Sequence, residues 1–157
     1  MAQNMSGFKK SIGPFQTKIT SGPGDTILLT KKALEEGVER IVAVGGDGVL
    51  NEVLNGFIID DFLINPKACL SFVMTGTGWD FQRYFGISEK WEYAVENLRK
   101  AKLRKIDVAK VTYTDSQKEK KTRYFINIAS FGISGELDYY IENLKLRKFL
   151  GKKFFIA

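Results

Sequence analysis

The stretch "VAVGGDGVLNEVLNG", Val42–Gly56, sets three glycines and an aspartate between an apolar, β-branched run and a segment with helical spacing. A chain that places its least structured residues where a strand hands over to a helix leaves its backbone amides open to close approach. Glycine has no Cβ, and a helix N-terminus presents unpaired N–H groups, so this junction suits a phosphate. The alternative is a tight strand-to-helix turn with no ligand. "RIVAV" (Arg40–Val44) before it has the composition of a strand covered on both faces.

A second junction follows the same plan. "ACLSFVM" (Ala68–Met74) is a buried strand, "TGTGWD" (Thr75–Asp80) is a second glycine loop, and a helix is expected from Asp80. In open α/β sheets the carboxyl ends of neighbouring strands converge on one crevice, so Gly45–Gly48 and Gly76–Asp80 are expected to line a single site. Helices starting near Val49 and Asp80 would direct positive partial charge into it. Neither loop has the spacing of a G-x-x-x-x-G-K-[ST] or a G-x-G-x-x-G motif. Asp47 would repel bare phosphate, which argues for a metal-bound nucleotide or for bonds to a hydroxyl; Asn51 and Thr77 add neutral donors.

Outward from these loops, "FQTKIT" (Phe15–Thr20) alternates like a short strand, and "SGPGD" makes a turn. Asp25 is placed as N-cap of a helix over "TILLTKKALEE", with Gly37 as its stop. Ser88 would cap "EKWEYAVENLRKAK". "RKIDVAKVTY" and "RYFINIASF" read as two long antiparallel strands joined by "TDSQKEKKT", and "GELDYYIENLKLRKFL" as a helix. The sum is an α/β layered domain with a mixed sheet.

With 157 residues, one domain with a real core is expected; 44% hydrophobic and 27% charged residues are ordinary for a globular protein. The sequence contains no histidine, which removes Ser-His-Asp and Cys-His catalysis. A single cysteine, Cys69, excludes an intramolecular disulfide and a cysteine-rich zinc site, and reads as a small buried residue in a reducing compartment. Any chemistry must use carboxylates, hydroxyls, lysines, backbone amides or a hard cation, and the candidate bases Asp47, Glu52 and Asp80 lie on the loops themselves. The net charge of +6 concentrates at Arg99–Lys105, Lys118–Arg123 and Lys145–Lys153, as solvated helix ends or as a surface for an anionic partner. No aromatic–basic pattern of a nucleic-acid module accompanies it, no apolar run approaches the roughly 20 residues of a membrane span, and Met1–Lys10 is too polar for a signal peptide.

Four blocks in order, "GGDGVLNEVLNG", "GTGWDFQR", "RKIDVAKV" and "YFINIASFGISGEL", together with "TSGPGDTILLTKKALEEG", make the chain resemble the catalytic domain of the diacylglycerol kinase family, bacterial lipid kinases related to sphingosine kinases. The resemblance runs from Phe15 to Ala157. It implies a three-layer α/β nucleotide-binding domain with a mixed sheet, ATP-dependent phosphorylation of diacylglycerol or a related lipid alcohol, and Mg2+ arriving with the nucleotide. By position, Thr20, Gly45, Gly46, Asp47, Gly48, Asn51 and Thr77 would contact ATP, Asp47 and Asp80 being the catalytic-site carboxylates. With it, the basic clusters fit a cytoplasmic protein peripheral to an anionic membrane.

The departures are specific. Val49 stands where the family has Thr, and Trp79 where it has Asn. The family's opening N-P-x-S-G strand is reduced to "NMSG" (Asn4–Gly7), and its β-rich second domain, with the general-base glutamate, would follow Ala157. The chain is therefore expected to be a nucleotide-binding part cut at both ends, self-associating through Lys145–Ala157 or a hairpin edge and inactive alone. Two other readings are a non-catalytic nucleotide-binding module, favoured by Val49 and Trp79, and a relative of NAD kinases, disfavoured by "GTGWDFQR" and "FINIASFG".

Overall fold

The computed structural model describes residues 13–75, 80–87, 91–100, 102–130, 132–136 and 140. They fall into two compact units, residues 1–108 and 109–157.

In the first unit, helix α1 (Asp25–Glu35) leads into strand β1 (Arg40–Gly45), helix α2 (Asp47–Phe57), the short strands β2 (Ile58–Ile59) and β3 (Phe62–Leu63), and strand β4 (Cys69–Met74). Helices α3 (Asp80–Tyr84) and α4 (Trp91–Lys100) follow. Helix α1 stops where the sequence says it should. Gly37 takes φ +88°, its N–H reaches the Leu34 carbonyl at 3.1 Å, and the Val38 N–H reaches Ala33 at 3.0 Å. This paired closure uses a left-handed residue that glycine adopts without strain.

The start of α1 corrects an expectation. Gly24, not Asp25, is the N-cap, and it offers no side chain to cap with. Asp25 is the first helical residue and turns its carboxylate backward, accepting from both the Ser21 N–H and the Ser21 hydroxyl. Those bonds, the hydroxyl's first, hold the Asp25 carboxyl below its usual range.

Strands β1 and β4 pair in parallel, from Arg40 opposite Cys69 to Gly45 opposite Met74. Coverage is uneven: Ala43, Val73 and Met74 are buried, but Val44 is 49% exposed, so β1 is not shielded on both faces as its composition suggested. Val73 packs with Leu98 of α4, with Phe15 and Val42 against them. Phe72, beside them on β4, meets Phe81 at 5.1 Å between ring centroids, and Phe81 meets Phe85 at 4.9 Å. This apolar cluster fixes α3 against β4 immediately beyond the second glycine loop. Residues 15–20 form no strand; the alternation of "FQTKIT" finds no ladder partner among the described residues.

The β2–β3 pair is a two-residue hairpin absent from the sequence reading. Asp60 and Asp61 both take positive φ, 48° and 69°, the geometry a tight hairpin turn demands.

The second unit contains the expected antiparallel hairpin. Strands β5 (Ala109–Thr114) and β6 (Lys120–Phe125) are shorter than expected and pair from Ala109 opposite Phe125 to Thr114 opposite Lys120. Asp115 organises the tip, its Oδ1 accepting the N–H groups of Gln117 and Glu119, each at 2.9 Å. Residues 133–136 and Tyr140 are helical; the rest of the expected C-terminal helix lies outside the described residues, as does Ser88.

Parallel and antiparallel pairing thus occur in three separate two-stranded sheets, and the single mixed sheet expected from the sequence is not formed among the described residues. What stands is a mixed α/β chain.

Candidate functional site

The site begins at the carboxyl end of β1. Gly45 closes the strand, Gly46 is the extended N-cap of α2 with φ −90° and ψ −172°, and Asp47 opens the helix. The helix therefore starts two residues before the expected Val49. None of Gly45, Gly46 and Gly48 has positive φ. Their reason is approach rather than backbone conformation, and it differs between them.

At Gly45 the neighbour is internal. A Cβ there would lie 2.6 Å from Val49 Cγ2 and 3.2 Å from Cγ1, so both methyls of Val49 fold back over the strand end. At Gly48 nothing among the described residues, apart from the helix's own neighbouring backbone, comes within 4 Å of a built Cβ. Glycine in a helix is destabilising by roughly 0.5–1 kcal/mol relative to alanine. At Gly48 that cost meets no internal steric need.

Asp47 is half-buried, and its Oδ1 is closed off from solvent. One turn on, Asn51 is held along the helix: the Asn55 amide donates to the Asn51 carbonyl at 2.8 Å and to Asn51 Oδ1 at 3.3 Å. Glu52, a carboxylate that sequence alone left as a candidate base, is occupied otherwise. Its Oε1 accepts the Gly24 N–H at 3.0 Å and so caps the α1 N-terminus that lacks a cap of its own.

The two loops share a base. The ladder continues one step past β4, where the Thr75 N–H donates to the carbonyl of Gly45, the last residue of β1, at 2.9 Å. Residues 76–79, with Thr77 and Trp79, lie outside the described residues. Asp80 reappears as the first residue of α3, its backbone placed by the buried Phe81. Helix α3 has only five residues, so the partial charge at its start is smaller than that of α2, with eleven. Thr20 is exposed and lies four residues before Gly24, the residue bonded to Glu52. The structure thus gathers Gly45, Gly46, Asp47, Gly48 and Asn51 on one strand end and helix start, and brings the root of the second loop beside them. Glu52 was missed as a tether because its partner is 28 residues away, beyond any local signal.

Among the described residues, no group of three or more His, Cys, Asp or Glu could hold a metal ion, and no helix is long and apolar enough to cross a membrane.

Two glycine-bearing strand–loop–helix junctions on adjacent parallel strands define an α/β domain with its polar loops at the carboxyl ends of its strands. The family model for the diacylglycerol kinase catalytic domain matches residues 3–111, and the chain belongs to that family. The match covers the first unit and the opening of β5. Among curated proteins, the chain is 33% identical to a diacylglycerol kinase of Staphylococcus carnosus strain TM300 over 84% of its own length and 39% of that protein's. It is 31% identical to a diacylglycerol kinase of Bacillus subtilis strain 168, over 97% and 46%. A probable lipid kinase YegS-like of Chromohalobacter salexigens is 29% identical over 76% and 35%. The chain therefore spans less than half the length of these relatives. No solved structure matches it significantly.

Proposed function

We infer that the chain is the nucleotide-binding part of a lipid kinase that uses magnesium-bound ATP to phosphorylate diacylglycerol or a related lipid alcohol. The observation that carries this reading is Gly48: a glycine in the first turn of α2, with open space where a Cβ would stand, on a chain of the diacylglycerol kinase family. The fit to a nucleotide is chemical as well. Backbone amides of Gly46 to Gly48 at the start of an eleven-residue helix suit phosphate oxygens. Asp47 and Asp80 would meet the cation that the nucleotide brings, and Thr20, Gly45, Asn51 and Thr77 would complete the contacts. Bound Mg2+ would neutralise charge developing on the transferred phosphoryl group, while these residues position it.

Turnover needs a base on the acceptor side. Asp47, Asp80 and Asn51 would lie on the phosphate side, and Glu52 is bonded to Gly24. The 157-residue chain alone is therefore expected to bind nucleotide without turning lipid over. The basic clusters suit a peripheral protein at an anionic leaflet, and the β5–β6 hairpin, exposed along all of β5, suits self-association.

The test is calorimetric titration of Mg-ATP into the chain, with phosphoryl transfer to diacylglycerol vesicles followed in parallel. Saturable binding without transfer supports the reading; absence of binding overturns it. One observation favours a second reading, a non-catalytic nucleotide module: the Val49 methyls cover the strand end where a hydroxyl would otherwise stand. The family match favours either of these over an NAD kinase relative.

A further inference from the structure

Helix α2 holds α1 at two points on one face. Glu52 and Gly56 are four residues apart, so their side chains rise from the same side of the helix. At Gly56 the contact is steric: a Cβ would lie 2.6 Å from Thr30 Cβ and 2.8 Å from the Ile27 carbonyl oxygen, which brings the middle of α1 onto α2. At Glu52 the contact is polar and directional. Its Oε1 accepts from the Gly24 N–H at 3.0 Å in a part-buried setting.

The two contacts differ in what lies upstream. Gly56 locates only the body of α1. Gly24 ends a short closed turn in which the Asp25 carboxylate accepts twice from Ser21 and the Asp25 N–H reaches the Gly22 carbonyl at 3.3 Å. Thr20 is the next residue out. A shift at Gly24 therefore carries through a short, internally bonded turn to Thr20.

We propose that Glu52 is a positioning residue for nucleotide binding: through Gly24 it holds the Thr20–Gly22 segment in register with the glycine loop one turn earlier on its own helix. The base-like placement of Glu52 in the sequence is thus used for geometry rather than proton transfer. This inference rests on the nucleotide reading above. It requires Glu52 and Thr20 to be energetically coupled, which a cap serving α1 alone would not produce.

The experiment is a double-mutant cycle on the full 157-residue chain. Mg-ATP affinity is measured by calorimetry for the wild type, Glu52→Ala, Thr20→Ala and the double variant, with melting temperatures alongside. Each single variant is expected to bind about tenfold more weakly, and the double variant no more weakly than Glu52→Ala. Glu52→Gln, which keeps an oxygen acceptor for Gly24, should recover most of the affinity. If Glu52→Ala does not fold, Glu52→Asp, one methylene short of Gly24, takes its place in the cycle. Losses that add in the double variant, a Thr20→Ala without effect, or a Glu52 variant that melts earlier but binds as the wild type does, each overturn this inference alone. A wild type that binds no Mg-ATP overturns the nucleotide reading and this inference with it.

Discussion

Gly48 and Gly56 sit on the same helix and serve opposite ends. Around Gly48 nothing among the described residues approaches within 4 Å of a built Cβ; at Gly56 the Thr30 side chain and the Ile27 carbonyl are already inside contact distance. Both positions take helical backbone with negative φ, so neither uses the left-handed freedom usually offered as the reason for glycine. One glycine exists because another helix occupies the space. The other leaves space that none of the described residues fills. Sequence spacing cannot tell these apart, and the difference separates scaffold from site within a single α2.

The strongest way to break that contrast is at the residue beside the open end. Asp47→Ala should abolish measurable Mg-ATP binding while moving the melting temperature little, because the helix keeps its N-cap backbone and its buried face. Calorimetry with thermal denaturation checks it. A large fall in melting temperature with affinity intact would make Asp47 a turn residue and no more.

The closed end should respond the other way. Gly56→Ala introduces a methyl against a backbone carbonyl that cannot rotate aside, and overpacking of this kind costs about 1–3 kcal/mol. Alanine's better helix propensity returns up to about 1 kcal/mol, so the net effect is destabilising. Urea denaturation should show an earlier midpoint, with Mg-ATP affinity of the folded protein unchanged. A later midpoint would show that α1 and α2 part freely.

These expectations also mark how far the sequence could be read. The order apolar run, glycines, helical spacing in Val42–Gly56 placed β1 and α2, the helix starting two residues earlier than expected, and Gly37 marked the end of α1, because local backbone chemistry decides those features. The hairpin of β5 and β6 followed from two β-rich runs around a polar loop. Pairing decisions were not local. "FQTKIT" alternates but finds no described strand to pair with, and among the described residues the strands form separate pairs and not the expected mixed sheet. The β2–β3 hairpin turns on two aspartates with positive φ and no glycine, a weaker signal. At the site, residues 76–79 of the second loop lie outside the described residues, while the first loop's place between β1 and α2 was legible. Glu52's bond to Gly24 was not, since it spans 28 residues, and neither was the inward fold of Val49 over Gly45.

Val49 sharpens the contrast more gently. Val49→Thr keeps the shape that covers Gly45 and places a hydroxyl at the strand end. One added hydrogen bond of modest net worth would tighten Mg-ATP binding about threefold. Unchanged affinity would mean that the Val49 face does not meet the ligand.

The smallest effect belongs to a surface that serves neither end. On α4, hydrogen bonds from Arg99 and then Lys100 lower the Glu96 pKa from 4.5 to about 2. A depressed carboxylate contributes stability that is present above its unfolded value and lost as pH falls through its folded one. The small advantage of the wild type over Glu96→Gln should therefore shrink between about pH 4.5 and about pH 2, and shrink with added salt. Mg-ATP binding at neutral pH should not change. Urea midpoints across that range measure it.

Gly48→Ala bears most directly on the central claim, that α2 keeps its first turn open for a ligand. The added methyl meets nothing among the described residues, so the melting temperature should hold or rise, as alanine's helix propensity favours. Mg-ATP affinity, measured by calorimetry on the same samples, should fall about tenfold, the size of one lost close approach. A Gly48→Ala chain that is as stable or more so and binds Mg-ATP as tightly as the wild type would contradict the account.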